Sequence, residues 1–115
     1  MIGEFIATLF LARDVAHREH LRTKSYSQHK ALGHFYEDIA GLADKLTEAY
    51  QGRHGIIKEI PILTEEEKYK EPIYCIAEKL AYVEKNRYKC IPKDDSALQN
   101  ICDEIIGEFL SLIYK

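Results

Sequence analysis

Residues 25–50 read SYSQHKALGHFYEDIAGLADKLTEAY, and the spacing of their apolar side chains decides the fold. Leu32, Phe35, Ile39, Leu42 and Leu46 recur every three or four residues, which places them on one face of an α-helix. Ser25 or Ser27 stands where an N-cap is needed, and Gly52 and Gly55 are the expected stops beyond about Tyr50. Upstream, Ile2, Phe5, Leu9, Ala12 and Ala16 repeat the pattern, with Ile6 and Phe10 widening the stripe. They predict a first helix over Ile2 to Leu21 and a short turn over Arg22 to Ser25.

Downstream the periodicity breaks. Ile56, Ile57, Ile60, Pro61 and Ile62 form an apolar string with no helical period, which reads as an extended crossover over Arg53 to Leu63 lying on a hydrophobic surface. Thr64 and Glu67 resemble a capping box, and Glu65-Glu66-Glu67 suits the positive end of a helix dipole. Pro72 fits the first turn of the main third helix, whose buried side is marked by Ile73, Ile76, Leu80 and Val83. After Lys89, Cys90-Ile91-Pro92-Lys93 is a break. Asp94 or Asp95 then caps a last helix with Leu98, Ile101, Ile105, Phe109 and Leu112 facing inward. Residues 1–115 therefore predict one all-α domain, a four-helix bundle. Its short first and third connections make antiparallel hairpins, and its long second connection makes the crossover that ferritin-like bundles require.

Composition bounds the function. The chain has 115 residues, 46% hydrophobic and 30% charged, the profile of an ordinary globular protein small enough to gain from oligomerisation. With 16 basic and 19 acidic residues the net charge is −3, so no cationic field draws in nucleic acid. No apolar run approaches the roughly 18 residues of a membrane span. Met1-Ile2-Gly3-Glu4 carries no basic region ahead of its apolar stretch, and a cytoplasmic protein is expected. Cys75, Cys90 and Cys102 are too few and too irregular for a disulfide framework and read as reduced thiols.

His17, His29, Asp44 and Glu48 are the candidate metal ligands, with His20 one turn from His17. Asp44 and Glu48 share a helical face. His29 lies fifteen residues before Asp44, about 22 Å along the same helix, so one ion cannot be held by both ends. A site that uses all of them takes its imidazoles from one subunit and its carboxylates from another, across a two-fold axis. Imidazole with carboxylate suits Fe(II), and zinc and manganese accept the same set. The plainer reading packs the histidines near a turn and leaves Asp44 and Glu48 on a solvated face, paired to Lys45 or Arg53. His34 and His54 read as surface residues, and Glu37 and Asp38 lie between the metal candidates, Asp38 lining a second iron site or, more simply, facing water. Tyr36, Tyr74, Tyr82 and Tyr88 read as carriers of electrons near iron or, more simply, as amphipathic residues at the edge of the core.

Ala16-His17, His29, and Asp44 and Glu48 within Leu42-Ala43-Asp44-Lys45-Leu46-Thr47-Glu48 resemble, in order and spacing, the iron-oxidising ligands of the mini-ferritins, the Dps family. His29-Lys30-Ala31-Leu32 to Phe35-Tyr36-Glu37 is similar to the start of that family's second helix. The resemblance covers about residues 5 to 52. It implies iron as the metal, Fe(II) oxidation by peroxide or oxygen, and a site shared between subunits of a hollow dodecamer built from dimers. Arg18 stands where the family usually has tryptophan after its first histidine, and Leu21 follows His20. A second alignment therefore pairs His20 with that ligand. The crossover is short for the family, and no basic tail for DNA is present. Short phage-encoded chains share this general look. No Glu-x-x-His pair of the kind that builds an iron site inside one bundle occurs in matched positions.

Two other functions fit the same residues. One is a bundle that keeps its interfaces without catalysis, as a structural or partner-binding protein. The other is a helical ribonuclease whose arginine and histidine are separated by four to six residues, a spacing met by Arg22 with His29 and by Arg13 with His20, each pair with six residues between them.

Overall fold

The computed structural model describes residues 1–65 and 71–114. Four helices occupy them: α1 (Ile2–Arg22), α2 (Tyr26–His54), α3 (Pro72–Cys90) and α4 (Ser96–Tyr114). This is the all-α four-helix bundle the periodicity predicts. The helix ends show which local signals act. Ser25 is the cap of α2, its hydroxyl accepting the Gln28 amide at 3.3 Å. Gly52 lies within α2, which continues to His54. The helix stops at Gly55, whose φ of 87° is the left-handed backbone only glycine adopts without cost. Asp95 rather than Asp94 caps α4, its carboxylate accepting the Leu98 amide at 3.2 Å. Pro72 opens α3 as expected. Thr64 and Glu65 are not helical, and the Glu67 half of the predicted capping box lies outside the described residues.

α1 packs against α2 and α3, and α4 packs against the same two, so the bundle is a square with α1 and α4 on one diagonal. The Cys90 thiol approaches the Met1 carbonyl, and Arg53 at the end of α2 binds Asp95 at the start of α4 at 2.9 Å. α2 therefore ends beside the α3–α4 turn, and α3 begins at the opposite end of the bundle. α2 and α3 run parallel on the other diagonal, and the segment between them has to travel the length of the molecule.

That segment lies along α1. Ile57 and Ile60 pack on the core, and Gly3 sits directly beneath the Glu59 carbonyl, where a Cβ would collide with backbone. Ile60 to Leu63 follow Ala7, Phe10 and Asp14. Glu65 reaches α3 and binds the buried Lys79 ammonium at 2.5 Å. Burial works against the Lys79 charge, but the Glu65 carboxylate outweighs it and holds the ammonium above its usual range. The apolar string is not all inward: Ile56 and Ile62 are 80% and 95% exposed. Ile73, expected on the buried side of α3, is likewise exposed at that helix's first turn.

Phe5, Ile6 and Leu9 of α1, Phe35, Ile39 and Leu46 of α2, Ile76 and Val83 of α3, and Ile105 and Phe109 of α4 fill the centre. Phe35 meets Phe109 edge-on at 5.0 Å. Arg87 ties α3 to α4 without leaving an orphan: it donates to the Gln99 side chain and carbonyl at 2.8 Å each and pairs with Asp103. Gln99 in turn donates to the carbonyls of Arg87, Ile91 and Pro92. A buried guanidinium is tolerated because every one of these partners is in place.

Candidate functional site

α1 and α2 are joined by three residues, Thr23 to Ser25, so whatever sits in the last turn of α1 faces the first turns of α2. The last carbonyls of α1 have no partner within the helix. One is taken locally, the Thr23 amide donating to the Glu19 carbonyl at 2.9 Å. Another, that of His20, is taken from across the hairpin by His29 Nδ1 at 2.7 Å. The exchange is reciprocal, since His20 Nδ1 donates to the His29 carbonyl at 2.6 Å.

A carbonyl oxygen only accepts, so both Nδ1 atoms carry the hydrogen. In the neutral rings Nε2 is then the bare nitrogen that can bind a proton or a metal. The two rings lie face to face, centroids 3.7 Å apart and 19° from parallel. Gly33, one turn beyond His29, makes room for this: a Cβ there would stand 3.0 Å from His20 Cε1 and 3.2 Å from its Nδ1. Tyr36 closes the group, its ring stacked on His17 at 4.3 Å and meeting the edge of His20 at 5.2 Å. His17 and His20 are 6.4 Å apart, on neighbouring turns of one helix.

The structure thus brings three of the five predicted residues together, His17, His20 and His29, all half-buried at the α1–α2 hairpin. Asp44 and Glu48 are elsewhere, exposed on α2, about 22 and 28 Å of helical rise from His29. Neither takes the lysine or arginine suggested for it: Lys45 pairs with Glu104 and Arg53 with Asp95. Among the described residues no three His, Cys, Asp or Glu side chains of one chain form a group that would hold an ion. His34, His54, Glu37 and Asp38 are exposed, as expected. Tyr36 and Tyr82 pack on the core's edge, whereas Tyr74 and Tyr88 are largely exposed. Gly33 and Tyr36 are the participants that spacing did not assign. The signal was present, since residues 29, 33 and 36 lie on one face of α2.

Cys75, Cys90 and Cys102 carry free thiols. Cys102 is fully enclosed, and burial pushes its thiol up to about 11. No described helix is long and apolar enough to cross a membrane.

Compared with known proteins, the chain is 29% identical over 111 residues to an uncharacterised 14.6 kDa protein of the mobD-ri intergenic region of Enterobacteria phage T4. The alignment covers 96% of this chain and 84% of the phage protein. No solved structure matches. The model of a family of unknown function, DUF5856, matches residues 20–115, which takes in His20, His29, Asp44 and Glu48 but not His17. Because the match runs from the last turn of α1 through the whole of α4, the chain belongs to the DUF5856 family.

Proposed function

We propose that this protein is a Dps-like iron-binding bundle that acts as a homo-oligomer, taking Fe(II) between the imidazoles of one copy and Asp44 and Glu48 of another. The observation that carries the reading is the state of His20 and His29. Each has Nδ1 tied to a backbone carbonyl, the outer hydrogen bond typical of metal-binding histidines, so Nε2 is left as the donor. The exposed acid pair one turn apart on α2, and the single long crossover of the bundle, support the same reading.

Hard carboxylate oxygens favour the ferric state, and iron is here the substrate and cargo. Two Fe(II) ions give up one electron each, and hydrogen peroxide with two protons accepts them to form water. A cytoplasmic setting suits the free thiols. The phage T4 relative supports a phage-encoded origin.

Native mass measurement and metal analysis after anaerobic Fe(II) loading test the proposal, with ferric absorbance followed on adding peroxide. An assembly that binds iron and oxidises it above the buffer rate is expected. Asp44→Ala should lose at least about tenfold in that rate, which is about 1.4 kcal/mol of transition-state stabilisation. A monomer without iron, or a variant as fast as wild type, overturns it.

One observation favours a second reading, a structural or partner-binding bundle without catalysis. The His20–His29 stack and its two hydrogen bonds close the hairpin with no metal required. That reading predicts a stable, metal-free protein in the same experiment.

A further inference from the structure

We infer that Gly33 is a positioning residue that holds His20 against His29 in a closed latch, and that this latch withholds the two imidazoles from a shared ion. The inference rests on the metal reading above and adds its regulation. An imidazole lone pair lies in the plane of its ring, and a metal bound to it stands about 2.0–2.1 Å from the nitrogen in that plane. Two rings 3.7 Å apart and 19° from parallel cannot both meet that condition, because an ion in the plane of one stands well out of the plane of the other. As stacked, His20 and His29 are two single donors. For both to bind one ion, a ring has to leave the stack and at least one Nδ1 hydrogen bond has to break.

Three things keep the latch shut. The reciprocal hydrogen bonds, at 2.6 and 2.7 Å, fix both rings to opposite helices. The edge contact with Tyr36 limits rotation of His20. The bare backbone at Gly33 is the seat on which the His20 ring rests, with ring atoms at 3.0 and 3.2 Å from where a methyl group would be. A methyl group placed there acts on His20 without disturbing α2, since alanine is the better helix former.

The test uses zinc, which is redox-inert and takes the same ligands, with Gly33→Ala, and Gly41→Ala as the matched control. Gly41 lies on the same helix, and a Cβ there meets nothing within 4 Å. In wild type, the Nδ1 hydrogens of His20 and His29 should give slowly exchanging NMR signals, at least one of which zinc removes. Gly33→Ala should lack them before zinc is added, keep its helical circular dichroism and bind zinc about fivefold tighter, because the closed population no longer competes. Gly41→Ala should match wild type on every count. Zinc binding with both signals intact, or Gly33→Ala binding no tighter than wild type, overturns the latch and leaves the metal reading standing. Zinc bound by none of the three proteins in a direct binding titration overturns both, and the titration tells this outcome from the preceding one, in which zinc binds.

Discussion

Asp95 shows how one side chain joins two elements. Its carboxylate accepts the Leu98 amide at the start of α4 and binds Arg53 from the end of α2. Partial desolvation favours the protonated form, but the Leu98 amide and then the Arg53 guanidinium outweigh it and hold the carboxyl below the usual range. A carboxyl whose pKa is lower in the folded than in the unfolded chain stabilises the fold at neutral pH. It loses that contribution as the pH falls below about 3.9 and through the folded value. Asparagine keeps a capping oxygen and has no charge to lose. The urea midpoint of Asp95→Asn should therefore lie below that of wild type at pH 7, and the gap should narrow as the pH falls below about 3.9. A constant gap would show that the charge is not what stabilises this joint. Asp94 and Asp95 are equally plausible caps by composition, and only the path of the backbone after Pro92 selects the second.

Elements were legible where a single period governs them. The stripes of α1, α2 and α4 state their buried faces in the sequence, and Pro72 states where α3 begins. The ends were less legible. Gly52 and Gly55 look alike as residues, yet only Gly55 adopts the left-handed backbone that ends α2. The segment after it has no period to read, and its inward residues, Ile57 and Ile60, are told from the outward Ile56 and Ile62 only by its course along α1. At Gly3 that course comes so close that the Glu59 carbonyl leaves no room for a Cβ. Gly3→Ala improves helix propensity by about 1 kcal/mol. The backbone must nevertheless move to admit the methyl group, and overpacking of this kind typically costs about 1–3 kcal/mol. A net loss of up to about 2 kcal/mol in chemical denaturation is expected, with faster proteolysis after Lys58. Unchanged stability would mean that the crossover is free to lift from α1. The candidate site was legible in part: residue type and spacing single out His17, His20 and His29, which the structure brings together, and also Asp44 and Glu48, which it leaves exposed elsewhere on α2. The stacking partner and the glycine seat depend on how closely two helices approach, which no spacing within one helix records.

At the scale of the molecule, the bundle is two helical hairpins joined by one strap, with α1–α3 and α2–α4 as the seams between them. Each hairpin alone leaves an apolar face bare, including Phe35 on one side and Phe109 on the other. The strap adds its own contacts to α1 and α3, but no described helix–helix seam passes through it. The covalent link is therefore dispensable to the packed state, and the protein should tolerate being split. Residues 1–65 and 71–115, produced together, should complement one another into a 1:1 complex that elutes with the uncut chain, while either fragment alone stays largely unfolded by circular dichroism. If the pair does not assemble, the strap contributes more than a tether. If it does, the two halves can carry separate labels, and the gap between them becomes a ruler for watching the hairpins part.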